Sequence, residues 1–173
     1  SGRPYGRVVL DEFARRGIVL PALVVYTQPP IPWWTMGRLR RLATTPLVPF
    51  YLIRAAWRRA RLRHEPGFTA RASRVVVTGA INSVRMIRDL SRLAPDVLVL
   101  ADCGLLKPAV IELAREGVLN VHQGLLPWIR GNGSVAHSVL RGTAIGSTAY
   151  WVDAGVDTGR VIARRLVRIT ERE

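Results

Sequence analysis

The chain reads as an α/β fold, a parallel or mostly parallel sheet covered by helices on both faces. Three observations predict it. Strand-sized apolar runs at 22–26, 74–78, 96–101 and 118–121 alternate with stretches of helical spacing. Gly and Pro fall between the runs as breakers. No run approaches the roughly 18 apolar residues that would span a membrane.

The elements follow in order. Val8 to Arg16 places Val9, Leu10 and Phe13 at helical spacing and stops at Gly17. Ala22 to Tyr26 is a buried strand, closed by Pro29, Pro30 and Pro32. Residues 33–73 follow no α/β unit and read as an insertion into a single domain, 1–173. Arg74 to Thr78 is a strand again. Asn82 or Ser83 can cap a helix that presents Met86, Ile87, Leu90 and Leu93 on one face. Asp96 to Ala101 is the third strand, and Pro108 suits the first turn of a helix predicted to run to Gly117. Strand 118–121 comes next, then a short helix capped by Ser134 and stopped by Gly142. Residues 146–152 and 160–169 form two final strands.

A chain of 173 residues suffices for one domain with a proper core. The lone Cys103 allows no internal disulfide and fits a reducing cytoplasm. Net charge is +14, carried almost wholly by Arg. Ten of those Arg stand in residues 33–74 against the single acid Glu65, so the excess is local. A helical projection of 50–63 puts Phe50, Leu52, Ile53, Ala56, Trp57 and Ala60 on one side and Arg54, Arg58, Arg59 and Arg61 largely on the other. The favoured reading is a helix packed on the domain with a solvated Arg face. The alternative is an interfacial helix, helped by Trp33 and Trp34, that lies on an anionic membrane through 33–63 or grips a phosphorylated acceptor. His64 and His137 read as surface residues, and no metal-ligand cluster is visible.

The chemistry concentrates after residue 117. Side chains two apart on a strand share a side, so Asn120 and His122 project together at the carboxyl end of strand 118–121, where open α/β sheets bind ligands. Asp157 lies between Gly155 and Gly159, in a loop able to return its carboxylate to the imidazole. An amide, an imidazole and a carboxylate together suit acyl transfer. The amide donates to a developing oxyanion, the imidazole donates or takes a proton, and the carboxylate orients the ring.

The ordered pieces Asn120-Val121-His122, Leu125-Leu126-Pro127, Arg130-Gly131, Gly146-Ser147-Thr148 and Asp157-Thr158-Gly159 resemble the folate-dependent formyltransferase family. That family includes glycinamide ribonucleotide, methionyl-tRNA and sugar N-formyltransferases. The resemblance implies a Rossmann-like formyltransferase fold whose first strand would precede Ser1; a sequence that starts late is favoured over a strand that is truly lost, since a doubly wound sheet without it would expose core. It also implies that Asn120, His122 and Asp157 carry the reaction, with 10-formyltetrahydrofolate as donor. The pterin slot then falls on backbone at Leu98, Leu100, Ala101, Asp102, Cys103, Gly104 and Leu105, and at Ala154, Gly155 and Val156. Asp102 reads as a cap for the following helix, with contact to an amine substituent as the alternative. Gly124, Leu126, Pro127, Arg130 and Gly131 shape the acceptor loop, and Arg130 either touches an anionic acceptor or is solvated.

The leading function is formyl transfer to a primary amine of a small molecule, an amino sugar nucleotide being one candidate. Transfer RNA is demoted as a partner, because the methionyl-tRNA enzymes carry a further RNA-binding domain and this chain ends just after strand 160–169. The alternatives are a formyltetrahydrofolate hydrolase, and a non-catalytic protein of the same fold that binds membrane or nucleic acid through its basic insertion.

Overall fold

A computed structural model describes residues 4–26, 71–101 and 103–168, together with the helical positions Ile53, Ala56, Trp57, Ala60 and Arg61. The elements in order are α1 (Pro4–Arg15), β1 (Leu23–Val25), β2 (Val75–Val77), α2 (Val84–Leu93), β3 (Val97–Val99), α3 (Pro108–Ile111), β4 (Gly117–His122), α4 (Ser134–Leu140), β5 (Gly146–Trp151) and β6 (Val161–Leu166). The chain divides into two compact units, Ser1–Asp89 and Leu90–Glu173.

In the first unit β1 and β2 pair in parallel, Leu23 opposite Val75 and Val25 opposite Val77. Leu10 of α1 and Val77 are buried, and Leu20, Leu23, Val25 and Val75 pack against them. Ser83 is the cap of α2: its hydroxyl accepts from the Met86 N–H at 3.2 Å. Asn82, the other candidate, sits instead at φ 59° in the turn before it. The Thr78 hydroxyl at the end of β2 donates to the Asp89 carboxylate at 2.8 Å.

In the second unit four strands run in the order β3-β4-β5-β6. β3 and β4 are parallel, whereas β4–β5 and β5–β6 are antiparallel. The parallel pattern expected from the sequence thus gives way in the last two strands. The link from Val152 to Arg160 is too short for a crossover, so β6 can only fold back beside β5. Val110, Val118, Leu126 and Leu90 form the most deeply buried apolar positions here.

Three local expectations need correction. α3 ends at Ile111 and does not run to Gly117. The Arg115 and Glu116 amides bond instead to the carbonyls of Pro95 and Asp96, which pulls the chain out of the helix and lets Gly117 open β4. Ser134 is not the cap of α4; Gly133, at φ 74°, holds that position without a side-chain bond. α3 likewise has Lys107 as its N-cap with no side-chain bond, and Asp102 lies outside the described residues.

The basic insertion falls largely outside the described residues. At the helical positions within it, Ile53 is 68% and Trp57 63% exposed, so their apolar side is not the packed face that the projection favoured. The Arg61 guanidinium lies 5.6 Å over the Trp57 ring, a cation–π contact between neighbouring turns. Phe50, Leu52, Arg54, Arg58, Arg59, Trp33, Trp34 and His64 are not among the described side chains.

Candidate active site

The site is built on two adjacent antiparallel strands. The register sets Tyr150 of β5 directly opposite Asn120 of β4, and Thr148 opposite His122. Direct cross-strand partners share a face with their Cβ atoms about 5 Å apart. On β5 the buried positions alternate as Gly146, Thr148 and Tyr150, so that face carries the polar groups inward. Asn120 Nδ2 donates to the Tyr150 hydroxyl at 3.1 Å. The hydroxyl donates in turn to Asp157 Oδ1 at 2.7 Å.

The loop leaving β4 is held by its main chain. The Thr148 hydroxyl, completely buried, donates to the Gly124 carbonyl at 2.7 Å and accepts from the Leu126 N–H at 3.0 Å. Arg164 of β6 donates from Nε to the Leu126 carbonyl at 2.7 Å, and its guanidinium lies 5.2 Å over the Trp128 ring. The Leu126–Pro127 peptide bond is cis, and the Trp128 and Ile129 amides close a turn on the Leu125 carbonyl. Gly124 admits no side chain: a Cβ there would stand 2.8 Å from His122 Nε2 and 2.8 Å from the Ile129 carbonyl.

This tight turn brings the loop against the imidazole. His122 is 9% exposed; its Nε2 lies 3.0 Å from the Ile129 carbonyl and 3.1 Å from the Ser134 hydroxyl oxygen. The carbonyl only accepts, and the Ser134 hydroxyl spends its hydrogen on the Gly131 carbonyl at 2.8 Å. Both partners therefore require the ring hydrogen on Nε2. Nδ1 faces Asp157 Oδ2 at 3.4 Å, long for a hydrogen bond, and is the nitrogen left to take a proton.

Asp157 is the hub. Oδ1 accepts from Tyr150, while Oδ2 accepts from the Gly131 N–H at 2.8 Å and faces the imidazole. Its backbone is left-handed, φ 53°, a conformation that Asp tolerates better than most residues and that turns the carboxylate back over β4. Gly131, at φ 78°, presents its N–H to Asp157 and its carbonyl to Ser134. Burial, with the bond to the Asp157 carboxylate adding to it, pushes the Tyr150 hydroxyl from 10 up to about 12, although donation from Asn120 acts the other way.

The structure thus brings Asn120, His122, Asp157, Gly124, Leu126 and Gly131 into one constellation. Arg130 is exposed beside it, as are Pro127 and Trp128. Of the segments assigned to a pterin, Leu98, Leu100, Ala101 and Cys103 are half-buried, while Gly104, Ala154 and Gly155 are exposed. Leu105 and Val156 are apolar and 68% and 47% exposed, one in each segment. Sequence reasoning missed Tyr150 and gave Ser134 the wrong task. Alternation from Gly146 through Thr148 to Tyr150 was the available signal for the first.

The family described as Formyl transferase matches residues 55–173. A methionyl-tRNA formyltransferase of Legionella pneumophila (strain Corby) is 34% identical over 98% of this chain and 48% of its own length. One of Bordetella pertussis is 34% identical over 98% of this chain and 51% of its own. The chain therefore spans about half the length of these curated relatives. Among solved structures, phosphoribosylglycinamide formyltransferase from Bacillus halodurans superposes with a TM-score of 0.60 at 19% identity, covering 100% of this chain and 79% of that one, a likeness of fold. With the family's match falling on the residues that build the hydrogen-bonded site, the chain belongs to the formyl transferase family.

Proposed function

We propose that the chain transfers a formyl group from 10-formyltetrahydrofolate to a primary amine. The observation that carries this reading is the convergence of Asn120, His122 and Asp157 at the end of β4, tied through one carboxylate. One Asn120 N–H is bound to Tyr150, and the other is free in principle to donate to an oxygen that gains charge during attack on a formyl carbon. The amine must lose a proton as its bond to that carbon forms. His122 Nδ1 is the open proton position, and Asp157 Oδ2 beside it stabilises the ring once charged. A proton held there is then available to the departing nitrogen.

The donor, when bound, supplies the formyl carbon on the arylamine nitrogen outside the pterin ring, which is the nitrogen that departs. Leu105 and Val156, exposed and apolar, fit the flat pterin that this reading assigns to their segments. From Leu98 to Leu106 Asp102 is the one charged side chain, and the others leave an otherwise apolar segment.

Two acceptor classes have support. A small amine, such as an amino sugar nucleotide, suits a site open at Trp128 and Arg130. Methionyl-tRNA is the second reading, favoured by the names of the curated relatives and by a net charge of +14, which suits a polyanion. Incubation with 10-formyltetrahydrofolate and a panel of amines and charged methionyl-tRNA, read by mass spectrometry, tests both. Formyl gain on any acceptor supports transfer and names the class. Formate release without an acceptor would replace transfer by hydrolysis. Neither product, with salt-sensitive binding to a polyanion, would leave a non-catalytic protein.

The exposed Ile53 and Trp57 beside Arg61 support a peripheral contact with anionic membrane through 33–63. No helix among the described residues is long and apolar enough to cross a membrane. Salt-dependent co-sedimentation with anionic but not neutral liposomes, lost when Arg54, Arg58, Arg59 and Arg61 become Gln, is the expected result; equal negligible pelleting sinks this contact.

A further inference from the structure

We propose that Tyr150 is a positioning residue that sets the direction of the Asn120 carboxamide. The inference takes the formyl-transfer reading as its basis, but the geometry behind it is independent of any substrate. The Tyr150 hydroxyl has one hydrogen. It lies 2.7 Å from Asp157 Oδ1, and an ionised carboxylate only accepts, so the hydrogen belongs to that bond. Toward Asn120, at 3.1 Å, the same oxygen can therefore only accept. The Asn120 amide must turn its nitrogen to Tyr150; its oxygen there would face another oxygen with no hydrogen between them.

The polarity of the chain is thus fixed in one order, Asn120 to Tyr150 to Asp157. The consequence falls on the atoms not used. With one N–H committed to the hydroxyl, the second N–H of the same planar group has a set direction and is the donor left for a reacting oxygen. An Asn side chain on its own interconverts its two amide orientations, and only one of them offers a donor to an oxyanion. Tyr150 removes that choice. It is 3% exposed, so water does not compete for the bond. Burial also keeps the hydroxyl protonated, as the direction requires.

The test combines a rate with a readout that needs no substrate. In the wild-type protein, side-chain amide exchange measured by ¹⁵N NMR should show the Asn120 group protected, with its resonances assigned by their loss in Asn120→Ala. Tyr150→Phe keeps the ring and removes the hydroxyl; amide exchange should then quicken about 5- to 10-fold, the factor equivalent to one hydrogen bond. Turnover should fall about 10- to 100-fold with KM for the formyl donor within about twofold, the mark of lost alignment and not of lost binding. In the Asn120→Ala background the same change should cost little more.

An unprotected Asn120 amide in the wild type overturns the proposal without any variant. So does a Tyr150→Phe protein of wild-type turnover, or one whose loss multiplies fully with that of Asn120→Ala. Absence of formyl transfer in the wild type would overturn the catalytic reading alone, because amide exchange still decides the direction of Asn120.

Discussion

Thr148→Val removes two buried hydrogen bonds at constant shape, and it should be worse than Thr148→Ser. The hydroxyl is completely buried, donates to the Gly124 carbonyl at 2.7 Å and accepts from the Leu126 N–H at 3.0 Å. Val fills the same volume yet leaves a backbone donor and a backbone acceptor without their partner. Each such orphan costs about 1–3 kcal/mol, so the pair should cost about 2–6 kcal/mol. Ser keeps both bonds and loses only a methyl group, which costs about 1 kcal/mol. For a domain of this size each kcal/mol lowers Tm by roughly 2–4 °C. Thermal unfolding followed by circular dichroism should therefore place Val roughly 4–24 °C below the wild type and Ser only a few degrees below it. Turnover should follow the same order, because the loop that Thr148 pins also carries the Ile129 carbonyl against His122. A Val variant as stable as the Ser variant would refute the claim that this hydroxyl anchors the loop.

Gly124→Ala should lower stability by about 1–3 kcal/mol and cut turnover at least about 100-fold, since its Cβ would stand 2.8 Å from His122 Nε2; unchanged thermal unfolding and rate would show that the imidazole is not clamped there. Asn120→Ala, His122→Ala and Asp157→Ala should each cost a factor of roughly 10²–10⁴ in turnover with the fold intact by circular dichroism, and a double variant little more than the worse single one; wild-type rates in the His122 or Asp157 variant would end the proposed mechanism. The Tyr150 hydroxyl, raised from 10 to about 12, favours the folded state fully below the ordinary tyrosine range, and that contribution fades as pH climbs through about 12. Denaturant midpoints across this window should show an alkaline loss of about 2–3 kcal/mol in the wild type that Tyr150→Phe lacks; identical alkaline slopes would contradict it.

Much of this was legible before any coordinates, and the exceptions share a cause. Strand periodicity sets Asn120 and His122 on one side, but it is the ordered resemblance through Leu125-Leu126-Pro127, Arg130-Gly131 and Asp157-Thr158-Gly159 that singles them out with Asp157, since an Asn-x-His or an Asp-Thr-Gly alone is usually structural. Tyr150 acquires its task only from the register between β4 and β5, which sets residues thirty positions apart face to face. Ser134 looked like a helix cap because a serine before a short apolar run usually is one. Here the left-handed Gly133 takes the cap position, and the hydroxyl is released to the Gly131 carbonyl and the His122 ring. The end of α3 was hidden for the same reason, since the Arg115 and Glu116 amides are claimed by carbonyls some twenty residues earlier. The apolar spacing around Ile53 and Trp57 described a helix correctly but said nothing about whether anything covers it.

The imidazole is gripped by peptide groups and not by the side chains of its own loop. Ile129 offers its carbonyl to the ring, and Gly131 offers its N–H to the carboxylate and its carbonyl to Ser134. Alternating with them in the chain, Trp128, Arg130 and Asn132 are all exposed. Alternate residues of one short segment thus serve separate ends: the pinned ones keep the proton machinery in place, while Trp128 packs outside under Arg164 and Arg130 and Asn132 face outward. Arg130 and Asn132 can therefore change while the peptide groups that hold the histidine stay the same. Under the proposed formyl transfer, acceptor choice can then be altered at exposed positions while the groups around the histidine stay unaltered.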